Sequence, residues 1–389
     1  MIFTKLNTFA CGLAAALISP AYANVASQDT ENKQITQEVE VKNERVNKFK
    51  PIILPFYDPS IKAGISAIPL FAFYPDDNDL VSDASTIAIP LIYTSNDSYV
   101  AKVAGDIILF EDNLRMSFET GFTSTNMPLS GIDSNKETIN FDGDLMFKVA
   151  EDFFLGFGGV YTSTRYTADN AEEQSALEDY GFTSDFQDDI GYRVSMQWDT
   201  REHFYYPHSG FVLDIKYENH AEWLGNDAEN TYSSLFTDYR HFYSINNNPD
   251  RIIATKLVAR YLIDAENAPS SAFSTYGRQG KEVQRGYAVG DYISSNMVNM
   301  ELEYRHKFSD TGNKHLDKSA MVLIGGLGKS FGEQLEGNTQ DFRDTDLLGV
   351  IGVGYRYNIL PYERLNIKVD LTYNSDGDTI VYFGFGESI

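Results

Sequence analysis

The chain has 389 residues, of which 56 are acidic and 31 basic, giving a net charge of −25. That balance excludes nucleic acid as a partner, since a phosphate backbone would be repelled rather than neutralised. The only cysteine, Cys11, sits near the start, so disulfide scaffolds and thiol chemistry are excluded from the rest of the chain, as suits an oxidising envelope.

Residues 1–23 read as a secretory signal peptide: Lys5, an apolar run from Phe9 to Ile18, then Pro20 and the small-x-small site Ala21-Tyr22-Ala23 before Asn24. The run is too short to span a bilayer, and no later stretch approaches the length of a membrane helix. A lipoprotein would carry its cysteine after the apolar run, whereas Cys11 lies within it. Residues 24–50 are polar and charged with almost no aromatics, and are expected to form a periplasmic tether whose removal leaves folding intact. A partner-binding helix is the alternative, from the spacing of Ile35, Val39, Val41 and Val46.

From Pro51 onward the texture changes to segments of alternating polarity separated by Asn, Asp, Gly and Ser clusters. Sixteen segments are expected, near 51–57, 61–73, 84–94, 98–110, 113–124, 137–149, 153–164, 187–199, 211–220, 230–245, 251–263, 295–307, 319–330, 344–358, 365–374 and 379–389. The pattern predicts an all-β fold, a transmembrane antiparallel β-barrel of about sixteen strands over 51–389. An even count returns the chain to the side where it began. Short links at 111–112, 150–151 and 246–250 alternate with long ones at 125–136, 165–186 and 264–294, as periplasmic turns alternate with outer loops. Residues 74–83 and 308–318 are longer than such turns require. Twenty-five Tyr and 26 Phe are enough to furnish the aromatic girdles of a barrel.

Facing follows from cost. A charge turned to the lipid midplane costs about 2–4 kcal/mol, so charged positions turn to the lumen. Ile190, Tyr192, Val194, Met196 and Trp198 are therefore expected outward, with Gly191, Arg193, Ser195, Gln197 and Asp199 on the other face. Val298, Met300, Leu302 and Tyr304 face out, and Asn299, Glu301, Glu303 and Arg305 face in. Near the end, Leu365, Ile367, Val369, Leu371 and Tyr373 alternate with Asn366, Lys368, Asp370 and Thr372, and Val381, Phe383 and Phe385 alternate with Tyr382, Gly384 and Gly386.

Two motifs carry a family resemblance. Asp199-Thr200-Arg201 followed by Tyr206-Pro207 and Gly210 resembles the D-x-R, Y/F-P-x-x-G periplasmic turn of the BamA/TamA family of outer-membrane assembly factors, also called bacterial surface antigen proteins. Gln284-Arg285-Gly286-Tyr287 resembles the family's V/I-R-G-F/Y signature, with Tyr276-Gly277 and Gly280 as its small-residue lead-in. The resemblance implies that Arg285 lies on a loop folded into the lumen and pairs with Glu303 or Glu301. The family's second carboxylate should fall in residues 324–328, where Gly326 stands instead. A barrel of this kind usually ends on an aromatic residue, and Ile389 departs from that. Segment 24–50 is too short for the family's periplasmic repeat domains, so the resemblance is to members reduced to the barrel. Arg285 could otherwise be an ordinary solvated turn residue, and Asp199 with Arg201 a simple turn cap.

No G-x-S-x-G, H-E-x-x-H or phosphate loop is present, and His203, His208, His220, His241, His306 and His315 show no ligand spacing. No catalytic residue, metal site or cofactor is assigned. The expected function is insertion of outer-membrane proteins, or export of a protein or lipid-linked substrate, in the outer membrane of a Gram-negative bacterium. The expected partners are outer-membrane lipid and a periplasmic partner or client protein. A passive pore or structural envelope barrel is the alternative.

Overall fold

The structure, a computed structural model, describes residues 47–204, 206–277, 284–335, 337–360 and 364–389. The signal peptide, nearly all of the tether and Gly280 lie outside the described residues. The chain runs β1 (Lys48–Asp58), β2 (Lys62–Phe73), β3 (Ser85–Ala88), β4 (Leu91–Thr94), β5 (Tyr99–Leu109), β6 (Leu114–Leu129), β7 (Ile132–Ala150) and β8 (Phe153–Ala168). A helix α1 (Ala171–Asp179) leads to β9 (Gln187–Asp199), β10 (Gly210–His220), β11 (Tyr232–Ser244) and β12 (Arg251–Ile263). Then follow β13 (Ser274–Tyr276), β14 (Tyr292–Lys307), β15 (Ser319–Gln334), β16 (Thr339–Gln340), β17 (Leu348–Leu360), β18 (Leu365–Asn374) and β19 (Thr379–Phe385).

β3 and β4 are two halves of one wall strand, split at Ile89-Pro90, because both pair with β2 on one side and β5 on the other. Pro90 has no amide proton to give, so the ladder breaks there. β13 and β16 are short additions beyond the wall, on the outer ends of β14 and β15. The wall thus holds sixteen antiparallel strands and closes where β1 meets β19.

That closure is thin. β1 lies against β2 in unbroken register from Lys48 opposite Ala72 to Asp58 opposite Lys62, but meets β19 at one position, Tyr57 opposite Phe383. Two prolines, Pro51 and Pro69, also face each other across β1 and β2, where neither can donate to the ladder.

Strand facing follows the alternation. Met300, Leu302, Val369, Leu371, Val194 and Trp198 are exposed on the outer wall, while Glu301, Glu303, Arg305, Asp370 and Arg193 are buried in the lumen. Several expected boundaries change, three of them by what the chain does there. β1 starts at Lys48, so barrel pairing reaches into the expected tether. Residues 125–136 form no long loop: β6 and β7 continue as a hairpin to a tight turn at Ser130-Gly131, with Leu129 opposite Ile132. The polar composition of that stretch resembles a loop because the hairpin has already risen beyond the lipid and needs no apolar face. The final segment stops as a strand at Phe385, and residues 386–389 turn inward.

We call the end where β1 starts the turn end and the other the loop end. The loop end is capped by an apolar cluster that includes Leu129, Tyr166, Leu177, Phe182, Phe273 and Ile293. Helix α1 supplies Leu177, fully buried, and is started by the Asn170 side chain, which accepts the Glu173 amide at 3.0 Å. At the turn end, the long segment 74–84 folds against the β5–β6 turn rather than hanging free. The Glu111 amide donates to Asp79 at 2.9 Å and the Asp112 amide to Ser82 at 2.8 Å.

Candidate functional site: a plugged lumen

Arg285 reaches the interior wall, with its side chain fully buried. Gly286 lets the chain turn there, since its φ of +97° is open chiefly to glycine and a β-carbon would stand 2.4 Å from the Val350 side chain. Around it, the Tyr382 hydroxyl accepts the Gly286 amide at 2.8 Å and the Asn374 amide group donates to the Gly286 carbonyl at 2.8 Å. The Tyr287 hydroxyl donates to the Gly349 carbonyl at 2.8 Å. The loop tip is therefore bolted to β17, β18 and β19, all late strands.

The guanidinium contacts three carboxylates: Glu301 at 2.7 Å, Glu303 at 2.5 Å and Asp370 at 2.8 Å. The Arg285 amide also donates to Glu301 at 2.9 Å. Both glutamates sit on β14 at lumen-facing alternate positions, as the strand period requires. The third carboxylate, Asp370, comes from β18 and not from residues 324–328. Gly326 lies opposite Glu301 in register, and a β-carbon there would stand 3.2 Å from the Gln284 carboxamide, so its lack of side chain makes room for the loop. These charges do not face water: Arg285, Glu301, Glu303 and Asp370 have no exposed side-chain surface.

The network continues to the end of the described chain. Arg356 on β17 donates to Asp370 at 2.5 Å and to Glu387 at 2.8 Å. Asn366 also donates to Glu387, at 2.7 Å, and Lys368 to the Ser388 hydroxyl at 3.0 Å. Arg305 donates to Glu303 at 2.7 Å and to the Ile389 carbonyl at 3.0 Å. The Ile389 side chain packs with Phe242 and Ala254.

At the turn end, Arg201 clamps Asp199 with two donors, at 2.8 and 2.5 Å, while the Thr200 amide donates to the Phe211 carbonyl at 2.8 Å. Gly210, at φ +91°, is required by the 2.3 Å approach that a β-carbon would make to the Thr200 carbonyl. Tyr206 and Pro207 are buried. The Tyr206 ring lies 5.1 Å from the Arg305 guanidinium, and Arg364 donates to the Tyr206 carbonyl at 3.1 Å. The two sequence motifs are thereby joined: Arg285 and Arg305 share Glu303, and Arg305 covers Tyr206. In the same turn, burial and then the nearby Arg364 charge hold His208 down to about 4, and burial does the same to His203, also to about 4.

Sequence reasoning placed Arg285, Glu301, Glu303, Asp199, Arg201, Tyr206, Pro207 and Gly210. It missed Asp370, Arg356 and Glu387 as partners. Asp370 was visible only as a lumen-facing charge on β18. Among the described residues, no cluster of His, Cys, Asp and Glu could hold a metal ion.

The sixteen-strand antiparallel barrel is that of an outer-membrane β-barrel protein, here with an arginine-bearing loop held in its lumen. The chain belongs to the Omp85 superfamily, whose domain matches residues 102–388. No curated protein sequence matches it. Among solved structures it is similar in fold to BamA from Haemophilus ducreyi lacking POTRA domains 1–3, at 14% identity and TM-score 0.61, covering 88% of this chain and 70% of that one. It is also similar to CdiB from Escherichia coli, at 9% identity and TM-score 0.55, with 86% and 61% covered. CdiB from Acinetobacter baumannii gives 11% identity and TM-score 0.51, with 88% and 59% covered. The chain therefore spans about 60% of the length of either CdiB.

Proposed function

We propose that this barrel inserts proteins into the outer membrane of a Gram-negative bacterium, or exports a protein or lipid-linked substrate, with its turn end in the periplasm. The observation that carries the reading is the seam: β1 and β19 share one register position, Tyr57 opposite Phe383, while the lumen beside it is filled. A filled lumen leaves little room for a through-going solute, and a thin seam offers a lateral way out into lipid. Client strands could use the edge of β1, which meets β19 at one register position, since strand edges template further pairing. The bolted loop and the inward tail would then hold the late strands still while the early ones part. Asp199, Arg201, Tyr206, Pro207 and Gly210 would shape the turn end beneath the plug, and Glu301 and Glu303 would anchor Arg285. The membrane lipid and a periplasmic client are the partners this requires.

The test is a disulfide across the seam, Tyr57→Cys with Phe383→Cys, in chain reconstituted in liposomes with an unfolded outer-membrane protein as client. Insertion that falls on oxidation and returns on reduction supports the proposal. Equal insertion in both states rejects it. A steady ohmic conductance in planar bilayers would favour the passive pore instead.

A further inference from the structure

The turn-end knob made by segment 74–84 and the β5–β6 turn is not used in the proposed activity. It is costly to build. Phe110, Glu111 and Asp112 occupy the left-handed region in succession, at φ of 57°, 57° and 61°. None is glycine, and side-chain-bearing residues are held in this region only where their surroundings impose it. The surroundings here do impose it. Asp79 accepts the Ser82 amide at 2.9 Å and the Ser82 hydroxyl at 2.5 Å, and the same two side chains then receive the Glu111 and Asp112 amides. Asp112 is further clamped by Arg115 at 2.6 and 2.8 Å.

What this frame displays is apolar. Leu80 is 72% exposed, Val81 61% and Phe110 70%, and Leu80 and Phe110 each directly neighbour one end of the Asp79 to Glu111 hydrogen bond. A shallow cleft of about 80 Å³ between the two segments is lined by Tyr74, Asp79, Ser82 and Phe110. Lipid is a poor occupant. Asp76, Asp77, Asp83 and Glu111 crowd the same two turns, beside Asp79 and Asp112, which are engaged within the frame, Asp112 by Arg115 and Lys148, and carboxylates are expensive in hydrocarbon and repelled by anionic headgroups. The lipid boundary is also marked nearer the wall, where Phe71 and Phe73 stack at 5.5 Å.

We infer that this knob is a docking surface for a polypeptide segment that brings an apolar side chain flanked by basic residues. The apolar anchor would seat against Leu80, Val81 and Phe110, and the acidic rim would select the basic flanks and exclude acidic ones. The inference rests on the proposed function for one point, that this end faces the periplasm, where a partner can approach it.

The experiment uses the full chain in nanodiscs and two fluorescent amphipathic peptides, one of Lys and Leu and one of Glu and Leu in the same order. The Lys/Leu peptide should bind the unmodified chain at least about tenfold more tightly than the Leu80→Ser/Phe110→Asn variant. The variant keeps the net charge, so a purely electrostatic attraction would not distinguish the two. Phe110→Asn also replaces a strained residue by one that tolerates the left-handed region, so the folded, heat-modifiable band should persist. Leu80→Ser alone gives the same comparison without touching the turn. Equal affinity for chain and variants, or equal affinity for the two peptides, overturns the inference. So does a spin label on Leu80→Cys or Phe110→Cys that relaxes with oxygen and not with a water-soluble nickel chelate, which would place the knob in lipid. No client is present, so lost docking with seam-dependent insertion intact rejects this inference alone, and intact docking with a harmless seam disulfide rejects the proposed function alone.

Discussion

Arg356 holds Glu387 at 2.8 Å inside the lumen while its other nitrogen holds Asp370, the same carboxylate that receives Arg285. One aspartate on β18 thus sits between the lumen loop and the inward tail. The tail and the loop are expected to respond to substitution together, because Arg356 and Arg285 share Asp370 and a shift of either changes how that carboxylate is held.

Arg285→Ala should be severe. It leaves Glu301 and Glu303 in a site without solvent, and removing one side of a buried ion pair costs about 3–5 kcal/mol. Arg305 still serves Glu303, so the barrel should fold, with a lower unfolding midpoint in urea and faster proteolysis within residues 264–290. A midpoint unchanged from the unmodified chain would show that the carboxylates find water instead.

Glu387→Gln should be milder than Arg285→Ala. The amide oxygen can accept from Arg356 or from Asn366 but not from both, and Asp370 remains to balance the guanidinium, so a loss of about 1–3 kcal/mol is expected. The informative readout is the loop: hydrogen exchange at Gly286 and Tyr287 should accelerate, although neither touches Glu387. Unaltered exchange there would break the proposed linkage.

Two glycines three residues apart on β15 should behave oppositely. A β-carbon at Gly328 would stand 1.9 Å from the Tyr276 hydroxyl, which donates to Gln284 at 2.6 Å beside the loop tip. Gly325 meets nothing within 4 Å. Gly328→Ala should therefore cost about 1–3 kcal/mol and dislodge Tyr276, and Gly325→Ala should be neutral or slightly stabilising. Thermal unfolding followed by circular dichroism compares them directly.

The turn end should lose stability as pH falls from about 6.5 towards 5. His203 and His208 are held down to about 4 in the folded protein, so in this window the unfolded chain takes up protons that the folded one refuses. Above 6.5 both states are neutral at these residues and the contribution vanishes. The double variant His203→Gln/His208→Gln should flatten the pH dependence of the unfolding midpoint between 5 and 6.5, and a slope as steep as that of the unmodified chain would argue against it.

Much of the wall was legible because a barrel has one simple rule, apolar out and polar in, and β9, β12 and β18 match their expected segments residue for residue. The rule fails where lipid no longer enforces it. The β6–β7 hairpin beyond the bilayer has no apolar face to mark it, and α1 buries only Leu177 among its residues. The lumen was half legible: Glu301 and Glu303 fall on one strand face, and Arg285 is close to them in sequence. Asp370 lies 85 residues from Arg285, and Glu387 on a segment that looks like a strand, so their meeting depends on registers set by the whole sheet. The strained turn at Phe110 gave no signal beyond the excess length of residues 74–83, since no glycine announced it.

The apolar cap over the loop end has a consequence for the cell that carries this protein. A membrane barrel whose wall parts sideways would ordinarily be a leak. Leu129, Tyr166, Leu177 and Phe182 pack together at the loop end, none of them on a seam strand, so a barrier built there would not depend on the seam being shut. On the proposed function, parting β1 from β19 would open a path into the bilayer and not to the outside, so impermeability and lateral release would be governed by different sets of residues and could change independently in evolution.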